Sequence, residues 1–254
     1  MTNDNLFVNG LINLDKPAGM SSAKAVDRVK RLLPRGTKIG HAGTLDPFAT
    51  GVLLLLVGRA TKLCERLMDQ PKQYEASVKL GATTATDDPE SPEQPGDTGA
   101  SPVTSIFSDL HGRGARATRD EVAAILSTFV GAIEQRPPAF SAMKVAGRRA
   151  YELARDGKPP ELQPRIVHVY AIELLDFAWP MVRLRVDCGR GTYVRALARD
   201  LGAALGVGGY LTQLRRTRIG EFGVDSAVTL ERLTAEGVAA HVRAVETSPG
   251  KSEQ

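Results

Sequence analysis

Alternation of apolar and polar positions is clearest at Tyr74, Ala76, Val78 and Leu80, separated by Glu75, Ser77 and Lys79. A period of two predicts a half-buried strand with the tyrosine on the apolar side. Val182, Leu184, Val186 and Cys188 repeat the pattern against Arg183, Arg185 and Asp187, and predict another strand. Ile166 to Leu175 is strand-like as well. Leu11-Ile12-Asn13-Leu14 is a short strand, stopped by the turn residues Asp15-Lys16-Pro17-Ala18-Gly19. Val52 to Val57 is apolar at every position, which predicts a central buried strand; period alone leaves a buried helix segment open.

Helical periods occur in three places. Ser21 or Ser22 can cap a helix whose apolar face is Val26, Val29, Leu32 and Leu33, ended by Pro34 to Gly36. Thr118 and Glu121 have capping-box spacing ahead of Val122, Ile125, Leu126, Phe129 and Val130. Val194, Leu197, Leu201 and Leu205 make the third face. Gly36 to Gly51, with its glycines and proline, predicts a loop, and Asp87 to Pro102 predicts a solvated one. Gln135 to Pro164 reads as an insertion lying on the core, with one short helix around Arg148 to Arg155. Strands and helices mix without regular βαβ alternation, so the fold class is α+β with a largely antiparallel sheet.

Composition narrows the class. Apolar residues at 42% and charged residues at 24% rule out a wholly disordered chain. The longest aliphatic run, Val52 to Val57, falls far short of the roughly 20 residues of a membrane-spanning helix. The N-terminus has no signal-peptide pattern. Cys64 and Cys188 are too few for a disulfide framework or a four-cysteine zinc site, and read as buried thiols of a cytoplasmic protein. The net charge of +4 is modest, but the basic residues cluster: Arg28 to Lys38, then Arg136, Lys144, Arg148 and Arg149, then Arg183 to Arg199, then Arg215, Arg216 and Arg218. Such clusters form either a phosphate-attracting surface or separate solvated faces.

The chain has no Gly-x-x-x-x-Gly-Lys phosphate loop and no dinucleotide fingerprint, and its four histidines lack metal-ligand spacing. These absences predict chemistry without a cofactor or metal. The most informative stretch is Gly40-His41-Ala42-Gly43-Thr44-Leu45-Asp46-Pro47-Phe48-Ala49-Thr50-Gly51. Pro47 holds Asp46 on extended backbone, and glycines admit a ligand close to the main chain. Asp46 is therefore a candidate nucleophile or base, or the capping residue of an Asp-Pro turn.

This stretch resembles the catalytic motif of the TruB family of tRNA pseudouridine synthases, and the resemblance extends from Leu11 to about Leu233. Gly10 to Ser22 is similar to the family's N-terminal motif, and Lys72-Gln73-Tyr74 to its Lys-x-Tyr strand. Gln135 to Lys144 resembles the start of its RNA-gripping thumb, which continues through Tyr151 to Arg155 and Gly157. Cys188 to Arg195 and Leu214-Arg215-Arg216 complete the set in family order. Phe140 stands where the family more often has tyrosine.

The resemblance implies a pseudouridine synthase fold with a central mixed sheet flanked by helices and loops. It implies a catalytic domain over residues 1–233, a thumb at about 132–164, and a tail over 234–254 too short for the RNA-binding PUA domain of many members. The implied reaction is isomerisation of uridine 55 in the T loop of tRNA, by a cytoplasmic monomer needing no cofactor or metal. Asp46 would be the essential aspartate, Tyr74 would stack on the flipped base and take the C5 proton, and Arg195 would pair with Asp46. Tyr193 would line the pocket, His41 would contact everted nucleotides, and Leu214 would close the apolar wall or pack in the core. Lys16 would brace the active-site loop or contact phosphate. Lys144, Arg148 and Arg149, with Arg136, would grip the RNA backbone.

Overall fold

A computed structural model of the chain describes residues 9–96, 116–141, 143–145, 147–157, 160 and 162–245. They divide into two compact units: one from residues up to Gln70 and from Arg215 onward, the other from Pro71 to Leu214. The first begins with β1 (Gly10–Lys16), α1 (Ser22–Lys30), β2 (Ile39–His41), β3 (Thr50–Val57) and α2 (Cys64–Met68). The second holds β4 (Lys72–Leu80), β5 (Ala82–Thr84), β6 (Glu93–Pro95), α3 (Arg119–Thr128) and β7 (Gly131–Gln135). It continues through β8 (Lys144–Val145), β9 (Arg148–Arg149), α4 (Ala150–Arg155), β10 (Arg165–Ala178), β11 (Met181–Cys188) and α5 (Val194–Ala204). The strand β12 (Gly209–Ile219) starts in the second unit and ends in the first, where β13 (Phe222–Gly223) and β14 (Val228–Thr229) follow.

In the first unit the strand order is β14-β1-β3-β12, with β2 beside β3 and β13 beside β12. β1 and β3 run antiparallel, while β12 joins β3 in parallel and β14 joins β1 in parallel. The sheet is mixed. The unbroken apolar run of β3 follows from its position between two cores. Leu53, Leu55 and Val57 pack with Ile12, Leu14, Ala25 and Val29. Val52, Leu54 and Leu56 pack with Leu11, Ala42, Ile219 and Phe222. A strand covered on both faces has no place for a polar alternation. α1 starts where the Ser21 hydroxyl accepts the Lys24 N–H, and it buries Ala25 and Val29. Ser22 is the other residue the sequence offers as a cap, but its side chain serves a loop described below. The loop expected over Gly36 to Gly51 contains β2, which pairs His41 with Leu55.

In the second unit the order is β12-β4-β11-β10-β7. β4 alternates buried and half-buried along its length, as its sequence period requires. β11 pairs antiparallel with both β4 and β10. The capping box at Thr118 and Glu121 is formed, but α3 ends at Thr128. Phe129 and Val130 leave the helical period, and Gly131 turns the chain into β7 at φ +112°. Gln135 is paired with Arg165, so the chain leaves the sheet after β7 and rejoins it at β10. The insertion between them carries the β8–β9 hairpin and α4. α5 packs directly on the start of β12: a Cβ on Gly202 would lie 2.1 Å from the Gly209 nitrogen.

Two segments depart from their sequence pattern. Gly209 to Ile219 has no clean alternation, yet it forms β12 with Arg216 only 1% exposed. Residues 87–96 are mostly exposed, as expected of a solvated segment, but Asp88 is buried among them and β6 pairs with β5. Residues 97–102 of that segment lie outside the described residues. Among the described residues no helix is long and apolar enough to cross a membrane.

Candidate active site

Asp46 sits half-buried in the loop between β2 and β3. Its carbonyl accepts the Ala49 N–H at 3.2 Å, closing a turn with Pro47 at the second position. The turn that the sequence suggests therefore exists, and it presents the Asp46 side chain from a constrained backbone. Ser22 holds the preceding residue twice: its Oγ accepts the Leu45 N–H at 2.9 Å and donates to the Leu45 carbonyl at 3.0 Å. Lys16 is fully buried. Its Nζ donates to the carbonyls of Pro17 and Met20, each at 2.7 Å, and of Pro47 at 3.2 Å. These bonds tie the end of β1 to the loop at Pro47. Arg216 donates to the carbonyls of Gly43, Thr44 and Val52. Arg215 grips the Asp15 carboxylate and the Thr50 hydroxyl. His41 is half-buried at the end of β2.

The second unit carries the remaining expected residues. Tyr74 is 8% exposed on β4, opposite Val186. Tyr193 caps α5, and Gln135 fixes it from β7: the Tyr193 N–H donates to Oε1 and Nε2 donates to the Tyr193 carbonyl. The Arg165 guanidinium lies 5.4 Å from the Tyr193 ring centroid. Leu214 is buried on β12. Arg195 is 3% exposed and donates to Asp88 Oδ2 at 3.1 Å, to the Thr86 carbonyl at 3.1 Å and to the Phe140 carbonyl at 2.9 Å. Asp88 is in turn held by the Thr86 hydroxyl and the Glu90 N–H. Phe140 thus contributes its backbone to the Arg195 site.

Next to this pair, Asp87 faces Arg199 at 3.0 Å. Burial pushes the Asp87 carboxyl up to about 6, against the attraction of Arg199 and Arg195. Burial likewise raises Asp200, which also binds Arg199. Arg199 donates to the carbonyl of Arg136, the first residue after β7. In the insertion, Arg148 pairs with Asp156 at 2.7 Å, both more than half exposed. The side chains of Lys144 and Arg149 lie outside the described residues.

Three site residues escaped the sequence reading. Asp88 sits in an acidic run that looks solvated; its signal is the Asx turn it makes onto Glu90. Gln135 and Arg216 fall inside the motifs but have no distinguishing residue chemistry until the strands bring their partners.

Comparison with known proteins now decides the family. The model of the TruB family pseudouridylate synthase N-terminal domain matches residues 30–194. That of the tRNA pseudouridylate synthase B C-terminal domain matches residues 195–247. The chain belongs to the TruB family. It is a pseudouridine synthase, an isomerase, with the corresponding α+β fold. The tRNA pseudouridine synthase B of Aromatoleum aromaticum is 47% identical over 229 residues, covering 90% of this chain and 69% of the relative. That of Corynebacterium diphtheriae is 44% identical over 235 residues, covering 91% of this chain and 74% of the relative. A chain of a Cbf5-Nop10-Gar1 complex superposes with a TM-score of 0.65 at 31% identity, covering 90% of this chain. A chain of an H/ACA RNP bound to a substrate RNA containing 2'-deoxyuridine gives 0.63 at 28% identity, covering 92%. This TruB chain spans 54% and 55% of those two solved chains. The family similarity runs past Leu233, where the sequence motifs stop. The structure agrees there: Val238 is buried in the first core, and Arg243 exchanges backbone hydrogen bonds with Leu11.

Proposed function

We propose that this chain isomerises uridine to pseudouridine at position 55 in the T loop of tRNA, acting as a monomer in the cytoplasm. The observation that carries the reading is the Asp46 loop. A carboxylate on a Pro-constrained turn is braced by Ser22 and Lys16, the preorganised mount that a reacting carboxylate requires. The names of the curated relatives support tRNA as substrate. Large apolar side chains exposed among the described residues are Val130, Ile166 and Tyr170, too few for an obligate dimer face.

In this reading the target uridine leaves the folded loop, and the unstacking cost is offset by stacking and phosphate contacts in the site. Asp46 attacks the ribose or otherwise assists cleavage of the C1'–N1 bond. The uracil rotates, C1' bonds to C5, the C5 proton leaves and N1 gains one. Atoms and electrons balance without redox partner, metal or energy source. Tyr74 stacks on the base and takes the C5 proton, and Tyr193 and Leu214 line the pocket. Arg195 pairs with Asp46 and keeps it ionised as water is excluded. His41 contacts everted nucleotides, and Arg136, Lys144, Arg148 and Arg149 hold the backbone.

Tritium release from a T-arm RNA labelled at C5 of its uridines tests the reading. Wild type releases tritium, and replacing the position-55 uridine by cytidine abolishes release. Asp46→Asn releases none while its RNA affinity stays within about tenfold. Normal turnover by Asp46→Asn would overturn the mechanism. Tight binding without release by wild type would instead identify an RNA-folding factor.

A further inference from the structure

Arg216 takes no part in the chemistry above, yet it is the largest fully buried side chain among the described residues. It stands on β12 beside Gly51 of β3, and Lys16 of β1 stands on the other side of the same glycine. Three adjacent strands thus set two buried cations in one row, where the Asp46 loop enters β3. Gly51 has φ +103°, and a Cβ there would lie 2.2 Å from the Arg216 carbonyl oxygen. Only glycine allows so close an approach at that backbone conformation.

The guanidinium spends its donors on main-chain carbonyls. Nε reaches Val52 at 2.7 Å, Nη1 reaches Thr44 at 3.3 Å and Nη2 reaches Gly43 at 3.1 Å. One rigid planar group therefore ties residues on the N-terminal side of Asp46 to the strand on its C-terminal side. Lys16 holds the loop from Pro47. Asp46 lies between the two grips. Burying a guanidinium is costly, and an apolar side chain would fill the same space at less expense. What the fork adds is a fixed relation among three carbonyls, which an ammonium cannot span in the same plane.

We propose that Arg216 is a positioning residue for Asp46: its fork sets where the reacting carboxylate stands. The proposal rests on Asp46 as the reacting group. Misplacement of such a group by about 1 Å costs on the order of a hundredfold in rate.

Arg216→Lys keeps the charge and removes the fork. Expected for this variant is a single-turnover tritium release from the T-arm RNA slower by about a hundredfold, with RNA affinity within about threefold of wild type. Hydrogen exchange in the RNA-free protein rises over residues 42–50, while β1 and the body of β3 stay protected. Leu230→Ala is the control: it opens a cavity in the core of the same unit and lies outside the loop. Assayed below its melting temperature, it keeps the wild-type rate. An Arg216→Lys rate equal to wild type, equal losses in both variants, or unchanged loop exchange each overturns the proposal. If Arg216→Lys and Arg216→Gln both fail to fold, Arg216 is a folding residue and the proposal falls. If wild type itself releases no tritium, the proposed function fails, and exchange over 42–50 still decides whether Arg216 fixes the loop.

Discussion

Arg195 and Asp88 are each 3% exposed, and their side chains meet one another and further polar groups. Asp87 lies one residue earlier. Its carboxyl is pushed up to about 6 by burial, although Arg199 faces it. In the unfolded chain an aspartate titrates near ~3.9, so between about pH 4 and 6 the folded protein holds an extra proton. The stabilising effect of Asp87 is therefore full below about pH 4 and is lost as the pH rises through 6. Asp87→Asn cannot titrate. Urea unfolding of both proteins should show the stability difference moving toward the variant by roughly 2 kcal/mol between about pH 4.5 and 7.5. A constant difference would mean that Asp87 titrates like an exposed carboxyl. These pairs were hidden at residue level, because Asp87, Asp88, Glu90 and Glu93 together look like a solvated run. Glu93 repeats the lesson: hydrogen bonds from Lys79 and Tyr210 hold it below the usual range, while burial and Glu93 push Tyr210 up to about 12.

Among the elements, those with local signals were legible. Thr118 and Glu121 exchange both capping-box hydrogen bonds, and every group involved lies within four residues. Thr118→Ala should lower stability by about 1 kcal/mol in urea unfolding. No loss would mean that burial of Val122, Ile125 and Leu126 alone holds α3. β4 and β11 were legible because one face of each strand is buried and the other is less so. β3 left strand and helix open, since burial on both faces erases the period. β12 was not legible. Its arginines at 215, 216 and 218 interrupt the alternation, and only the carbonyls of a distant loop make Arg216 an interior residue.

For the whole molecule, the clustered basic residues acquire meaning only through their surroundings. Arg216 and Arg195 are interior, whereas Arg148 is exposed and paired with exposed Asp156. An exposed pair contributes little to stability and yields readily to a phosphate. Replacing Arg148 and Arg149 with Ala should flatten the salt dependence of RNA affinity by roughly two phosphate contacts. An unchanged slope in salt titrations would remove the thumb from the interface. The single catalytic domain expected over residues 1–233 is described by two compact units, with the chain returning to the first through β12. The sequence by itself determined the capping box of α3, the half-buried strands and the order of the family motifs, because each depends on neighbours a few residues away. Tertiary structure alone decided which charges are buried and what they hold. Arg195 meets Asp88 across 107 positions and Arg216 meets Thr44 across 172, and the desolvation that makes those contacts matter exists only once the strands between them have assembled.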